Sequence, residues 1–308
     1  MAEPSVPRDP HWPKAGEWLT RPAEPGAAHG DLAFLGVPAQ ARSISRTGAH
    51  ATPAAVREAL SRYSLFAPTG GVNLSALCAV DLGDVEDPDG PGGETRTARA
   101  AADAARRFGL VLGIGGDNSI TYSLMRGLAG DALAQWGLIT VDAHHDLRDG
   151  TSNGSPVRRL VEAGLPGENI VQIGIADFAN SAFYAERARE YGITVIPRAE
   201  FRTCLLPDIA ARALEIAGRG DRPVFLDLDM DVCDRAVVPG CPASAPGGIS
   251  ADELRHITRL LARDPRVRGI DITEVDATAD TEDGRTVRLA ALLALETAAG
   301  LALRVPAI

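Results

Sequence analysis

Short apolar runs recur along the chain, and each is followed by a longer, Ala-rich segment with helical spacing. Eight runs are continuous rather than alternating, which is the pattern of strands covered on both faces. Alternation of strands and helices predicts an α/β fold, with a parallel sheet between two helical layers. The predicted strands are Leu32–Val37, Leu77–Leu82, Leu110–Ile114, Leu138–Val141, Ile170–Ile175, Ile193–Ile196, Val224–Leu228 and Val267–Ile272.

Eight helices are predicted between and after these strands. Thr52 followed by Pro53 is a typical helix start, with a capping hydroxyl and proline in the first turn. Ser250 and Glu253 have the spacing of a capping box. The predicted helices are Pro53–Tyr63, Thr95–Phe108, Ser119–Leu128, Pro156–Ala163, Ser181–Tyr191, Pro207–Ala217, Ala251–Ala262 and Thr286–Leu303.

The chain divides at about residue 30. Residues 1–30 are rich in Pro, Gly and charge, and we expect a loose leader there. Residues 31–308 are expected to form one domain, because the loop at 84–94 is followed at once by further strand and helix patterns.

Charge narrows the range of partners. The chain has 308 residues and a formal net charge of −10, which argues against nucleic acid and anionic membranes as partners. No segment reaches the roughly 18 apolar residues of a membrane helix. The first residues lack the basic and apolar pattern of a secretory signal, so we expect a cytoplasmic protein.

Lysine chemistry is also excluded from the body of the chain. Lys14 is the one lysine in the sequence, and it lies in the Pro-rich leader. A Schiff base requires a buried lysine amine, and a phosphate-binding loop requires Gly-Lys followed by Ser or Thr. Neither is available in the predicted domain.

Polar residues follow four of the predicted strands directly. Because ligands bind at the carboxyl ends of parallel strands, these side chains should meet in one crevice. So many carboxylates require a compensating cation, and oxygen ligands with an imidazole suit Mn²⁺. We therefore expect a pair of divalent ions. The residues are Asp117 and Asn118; Asp142, His144 and Asp146; Asp227, Asp229, Asp231 and Asp234; and Glu274 and Asp276.

Three of these motifs together resemble the ureohydrolase (arginase/agmatinase) superfamily. They are GGDNS at 115–119, DAHHD at 142–146 and DLDMDVCD at 227–234. The resemblance runs from about Leu32 to the C-terminus. It implies a three-layer αβα sandwich around an eight-stranded, mainly parallel sheet, two Mn²⁺ ions, and a homo-oligomer, commonly a trimer or hexamer. The implied metal ligands are Asn118, Asp142, His144, Asp146, Asp229 and Asp231.

The sequence departs from the family pattern at three positions. Asn118 replaces the first ligand histidine, and an amide oxygen brings no imidazole affinity. Asp227 replaces a serine, in a supporting position. Asn153 replaces the proton-shuttling histidine, so the general acid is either absent or supplied by another group, such as His145, Asp146 or a water.

Within the superfamily, DAHHDLR, NGSPVRRL and IGIADFANS resemble formimidoylglutamases. The expected reaction is hydrolysis of a linear amidine C–N bond, with Glu274 receiving the cationic amidinium. A substrate with two carboxylates requires arginine nearby. The expected substrate-binding residues are Arg148, Asn153, Ser155, Arg158, Arg159 and Glu274.

Two other functions remain open at this stage. The protein could hydrolyse agmatine or guanidinobutyrate, although a cationic tail would be repelled by the arginines. It could also be a catalytically silent relative that binds a partner or metabolite, because two family histidines are replaced. The preserved Asp142, His144 and Asp229 argue against the silent relative.

Overall fold

The computed structural model describes residues 9–21 and 28–304. Eight parallel strands form one sheet in the order β4-β1-β5-β10-β9-β6-β7-β8, which confirms the predicted fold class. They are β1 (Gly30–Val37), β4 (Ala79–Asp84), β5 (Phe108–Gly115), β6 (Gly137–Val141), β7 (Ile170–Ile175), β8 (Thr194–Pro197), β9 (Val224–Asp229) and β10 (Val267–Thr273). A small antiparallel hairpin is formed by β2 (Phe66–Ala67) and β3 (Val72–Asn73). It was not predicted, because strands of two residues each leave no recognisable sequence pattern.

The helices cover both faces of the sheet. Their bounds are α1 (Ala15–Trp18), α2 (Thr52–Leu60), α3 (Gly93–Ala105), α4 (Ile120–Ala129), α5 (Pro156–Glu162), α6 (Ala182–Glu190), α7 (Leu206–Ala217), α8 (Ala251–Ala262) and α9 (Arg285–Ala302). The predicted capping box at Ser250 and Glu253 is present. The predicted cap at Thr52 differs, because Thr52 is itself helical and its hydroxyl donates to the carbonyl of Val275.

Neighbouring residues of β6 and β9 enter different apolar cores on the two faces of the sheet. Ile139 and Leu226 pack with residues of α2, α7, α8 and α9 on one face. Leu138 and Phe225 pack with residues of α3, α4, α5 and α6 on the other face. Because both faces of the strands are buried, the apolar runs are continuous, as a parallel sheet between two helical layers requires.

Part of the predicted loose leader is ordered against the domain. The side chain of Ala15, in α1, is fully buried. Thr20 lies beside the edge strand β4, where its amide donates to Ala79 and its carbonyl accepts from Asp81. Residues 14–20 therefore cover one edge of the sheet, an arrangement that composition alone did not indicate. Residues 1–8 and 22–27 lie outside the described part.

No helix in the described ranges is long and apolar enough to cross a membrane.

Candidate active site

Four neighbouring strands in the middle of the sheet carry the site. They lie in the order β5-β10-β9-β6, and their carboxyl ends open into one crevice. Asn118 follows β5, Glu274 follows β10, Asp229 ends β9 and Asp142 follows β6. Because β9 and β10 lie between β5 and β6 in the sheet, motifs that are far apart in the sequence come together at this edge.

Asp142, His144 and Asp231 form a compact group of potential metal ligands, with one ligand atom from each within 4.8 Å of the others. His144 Nδ1 lies 2.7 Å from Asp231 Oδ2 and 3.6 Å from Asp142 Oδ1. Burial opposes protonation of His144, but the two carboxylates prevail and raise its pKa to about 11. The raised pKa of His144 reflects the negative charge of the two carboxylates beside it.

The remaining carboxylates at this edge are also deeply buried. Asp229 and Asp146 are 3 % and 7 % exposed. Burial first, and then neighbouring carboxylates, raise the pKa of both well above its ordinary range. For the same reasons the pKa of Asp142 rises to about 7, and its buried Oδ2 has no hydrogen-bond partner among the described residues. Acceptor oxygens without donors, together with an imidazole, fit a divalent cation such as Mn²⁺.

Asn118 has a different geometry from that of a ligand. Its Nδ2 donates to Asp146 Oδ2 at 2.5 Å. Its Oδ1 accepts from the hydroxyls of Thr121 at 2.8 Å and Thr273 at 3.1 Å. In this orientation the amide oxygen that was expected to bind metal is turned away from Asp146. Asn118 instead acts as a donor that fixes the Asp146 carboxylate.

Glu274 lies at the floor of the crevice and is 3 % exposed. Its Oε1 accepts from the backbone N–H of Asn118 at 2.8 Å and from Asn153 Nδ2 at 2.9 Å. Burial raises the pKa of Glu274 to about 7, although Asn153 and Asn118 oppose the shift. Asn153, where the family has histidine, thus holds the glutamate in place.

His145 is fixed by a reciprocal pair of hydrogen bonds. Its Nδ1 lies 2.7 Å from Gln172 Oε1, and Gln172 Nε2 donates to the His145 carbonyl. Burial lowers the pKa of His145, which favours the neutral ring. Since Gln172 binds Nδ1, Nε2 is the ring nitrogen left for other contacts, and His145 is among the residues that line the crevice.

The crevice encloses a cavity of about 320 Å³. Of the three arginines expected to bind substrate, Arg148 lines this cavity, and it has no ion-pair partner within the described residues. The remaining predicted residues in the lining are His144, His145, Asp146, Asn153, Asp229, Asp231 and Glu274. Asn180 and Tyr184 also line the cavity and were not predicted; both follow β7, whose carboxyl end lies at this edge of the sheet.

Three predicted substrate-binding residues lie outside the cavity lining. Arg159 binds Glu94 through both terminal nitrogens and stacks on Tyr122, 3.7 Å from the ring centre. Arg158 binds backbone carbonyls of the loop that follows His145. The fully buried Ser155 exchanges hydrogen bonds with the backbone of Ser152. Helical residues 158 and 159 face the domain rather than the crevice, which spacing within NGSPVRRL could not reveal.

A parallel sheet with acidic and imidazole ligands gathered at its carboxyl edge is the arrangement of a metal-dependent α/β enzyme. The chain belongs to the arginase family, whose sequence model matches residues 30–300. Formimidoylglutamase of Bacillus subtilis (strain 168) is 34% identical over 281 residues, covering 88% of this chain and 87% of that protein.

Solved structures agree with the assignment. The crystal structure of the Bacillus subtilis formimidoylglutamase has a TM-score of 0.90 and 30% identity, covering 99% of this chain and 96% of that one. Trypanosoma cruzi formiminoglutamase, solved with Mn²⁺, has a TM-score of 0.87 at 24% identity, covering 95% and 99%, and shares the fold.

Proposed function

We propose that the chain hydrolyses formimidoylglutamate to glutamate and formamide. The observation that carries the proposal is the division of charge in one cavity. Buried Glu274 and the aspartates line it together with Arg148, which is exposed and unpaired within the described residues. An amidinium with an anionic tail matches both ends. The sequence similarity to a formimidoylglutamase over most of the chain supports the same substrate.

Five side chains would hold two Mn²⁺ ions: Asp142, His144, Asp146, Asp229 and Asp231. The manganese in the Trypanosoma cruzi relative supports this choice of metal. Asn118, which donates to Asp146 here, would orient that ligand without coordinating. Bound metal would supply Lewis acidity and lower the pKa of water toward neutrality.

The chain's own residues orient the substrate and carry the proton. Glu274, held by Asn153 and the Asn118 amide, receives the amidinium. Arg148 receives a carboxylate of the tail, with the bidentate geometry that guanidinium allows. A water molecule adds to the amidine carbon, and the bond from that carbon to the glutamate nitrogen breaks. Asp146 returns a proton to the leaving nitrogen, so that formamide and glutamate balance the water consumed.

The test is a substrate panel with Mn²⁺ present and product identification. Formimidoylglutamate should be turned over, whereas agmatine, guanidinobutyrate and arginine should give far lower kcat/KM values. Agmatine should be poorest because its cationic tail faces Arg148. Preferred turnover of agmatine, or no turnover of any amidine by metal-loaded protein, would contradict the proposal.

Replacing a metal ligand provides the mutational test. Asp231→Asn should reduce kcat on the order of a thousandfold, because it removes charge from the centre that stabilises the transition state. Metal content of the purified variant, measured by elemental analysis, should fall as well. The matched control is Asp264→Asn. Asp264 lies just before β10, at the edge of the sheet opposite the crevice, and pairs with Arg266. Full activity of Asp231→Asn would rule out its role.

A further inference from the structure

The loop that carries Arg148 has no regular secondary structure. Residues 146–150 follow β6 without forming a helix or strand. Asp146 and Gly150 have positive φ values of 53° and 77°. A segment without regular secondary structure lacks the backbone hydrogen bonds of a helix or sheet, so its buried carbonyl groups need other donors. The Asp146 carbonyl accepts from the Arg158 amide at the start of α5.

Arg158 binds the loop from α5. Its Nε donates to the Arg148 carbonyl at 2.6 Å, and its Nη2 donates to the Gly150 carbonyl. Its Nη1 pairs with Glu162, one turn later in the helix. The residue is 9 % exposed, so all three nitrogens of the guanidinium are used inside the protein. The planar fork of arginine makes this set of contacts possible.

Arg187 binds the same loop from α6. Its Nη1 donates to the Leu147 carbonyl at 2.7 Å and to Asp149 Oδ1 at 2.8 Å. Its guanidinium lies over the ring of Phe183, 4.8 Å from the centre. Two helices therefore hold the carbonyls of three loop residues, Leu147, Arg148 and Gly150, through two cations. Both cations are neutralised by acids, Glu162 and Asp149, and neither lines the cavity.

The two arginines that hold the loop also fix the position of Arg148. Its amide donates to the Gly154 carbonyl at 2.9 Å, and its Cδ passes so close to Gly154 that a Cβ there would lie 2.8 Å away. These contacts hold the backbone and the first part of the side chain, while Arg148 lines the cavity, is exposed, and has no ion-pair partner in the described chain. A cation placed in advance loses little entropy when it binds an anion.

We propose that Arg158 and Arg187 are positioning residues that set the affinity for the anionic tail of the substrate through Arg148. The role of Arg148 rests on the proposed function, whereas the bracing of the loop does not. Loss of either brace should lower affinity for the carboxylate and spare the chemical step, which occurs at the Glu274 end of the cavity.

The kinetic test uses Arg187→Gln in the Mn²⁺-loaded enzyme, with formimidoylglutamate and the carboxylate-free N-butylformamidine as substrates. KM for formimidoylglutamate should rise about tenfold with little change in kcat, because a displaced binding group costs affinity. The value of kcat/KM for N-butylformamidine should change less than about twofold. Equal losses on both substrates, or no loss on either, would overturn the proposal. Arg189→Gln, whose exposed side chain pairs with Glu186 on the same helix, is the matched control.

A double-mutant cycle tests whether the brace acts through Arg148. In an Arg148→Ala background, Arg187→Gln should have no further effect on KM, since the group it positions is gone. If the two substitutions raised KM additively, Arg187 would not act through Arg148 and the proposal would be overturned. Conservative replacement separates the two braces. Arg187→Lys should recover most of the affinity, because one nitrogen makes both polar contacts, whereas Arg158→Lys should not.

A readout independent of substrate separates the two proposals. Hydrogen–deuterium exchange of residues 147–150 should accelerate in Arg187→Gln and remain at the wild-type rate in Arg189→Gln. Unchanged exchange would refute the bracing whatever the substrate. If the wild-type enzyme fails on formimidoylglutamate while exchange accelerates as expected, the assigned substrate is wrong and the bracing stands.

Discussion

At the scale of single residues, the site depends on conformations that most side chains avoid. Asp146 and Glu274 have φ values of 53° and 60°, in the left-handed region that normally favours glycine. Each residue lies at a turn that directs its carboxylate into the crevice, and surrounding hydrogen bonds hold it there. Backbone strain of this kind costs on the order of 1–3 kcal/mol and is concentrated at functional sites.

Gly154 provides a test at this scale. In Gly154→Ala, the new Cβ would lie 2.8 Å from Arg148 Cδ, so the arginine side chain must move. We expect KM for formimidoylglutamate to rise by roughly five- to tenfold with kcat largely retained, because binding to the anionic tail is impaired. Urea unfolding should change by less than about 1 kcal/mol, since the neighbour that moves is a flexible side chain. An unchanged KM would show that Arg148 does not contact the substrate.

At the scale of elements, the sequence predicted all eight strands of the sheet because both faces of each strand are apolar. It also predicted which strand ends carry chemistry, since polar residues follow those strands directly. It could not predict side-chain directions beyond the strand ends. DAHHD directly follows β6, and its position at the strand end does not indicate that the backbone turns at Asp146. The orientation of the Asn118 amide depends on Thr121 and Thr273, two hydroxyls that no motif marks.

The packing of α2 on β4 depends on a buried ion pair that can be tested. Asp81, 3 % exposed, accepts from Arg57 of α2 through both oxygens at 2.9 Å and from Arg21 of the N-terminal segment. Burial raises the pKa of Asp81, but the hydrogen bonds from Arg57 and Arg21 outweigh it, and the pKa is lowered. Asp81→Asn should therefore lower the free energy of unfolding at pH 7 by about 2–3 kcal/mol.

The pH dependence follows from the sign of that shift. A carboxylate with a lowered folded pKa stabilises the fold above its unfolded pKa, about 3.9, and the contribution is lost as pH falls. The difference between wild type and Asp81→Asn should thus shrink below about pH 4. Urea unfolding at a series of pH values from 7 down to about 2 provides the measurement, because the contribution is fully lost only as pH falls through the lowered folded pKa. A difference that does not shrink over this range would show that the effect comes from packing rather than charge.

At the scale of the whole molecule, the buried carboxylates should make stability depend on a bound cation. Without a cation, the pKa of Asp142 and of Glu274 is raised to about 7, and that of His144 to about 11. Groups with raised folded pKa values stabilise the fold at low pH, and this stabilisation is lost as pH rises. Chelated protein should therefore lose on the order of 2 kcal/mol or more of stability between pH 5 and pH 8.

Added Mn²⁺ should reverse that loss, because the cation replaces the protons that the carboxylates would otherwise hold. The measurement is chemical unfolding of EDTA-treated protein at pH 5 and pH 8, with and without Mn²⁺. Asp231→Asn should show less recovery with Mn²⁺ than wild type. Equal stability of the chelated protein at both pH values would indicate that water, rather than metal, compensates the charge.

The strand order also determines when during synthesis the active centre comes into being. The chain first produces two separate groups of strands, β4-β1-β5 and β6-β7-β8, and β9 and β10 then insert between them. Until residue 273 has left the ribosome, the nascent polypeptide holds Asn118 and Asp142 on unconnected halves. A chain interrupted before that point lacks Glu274 and a complete β10, the strand that joins the halves, so release of a truncated product yields no partly active enzyme.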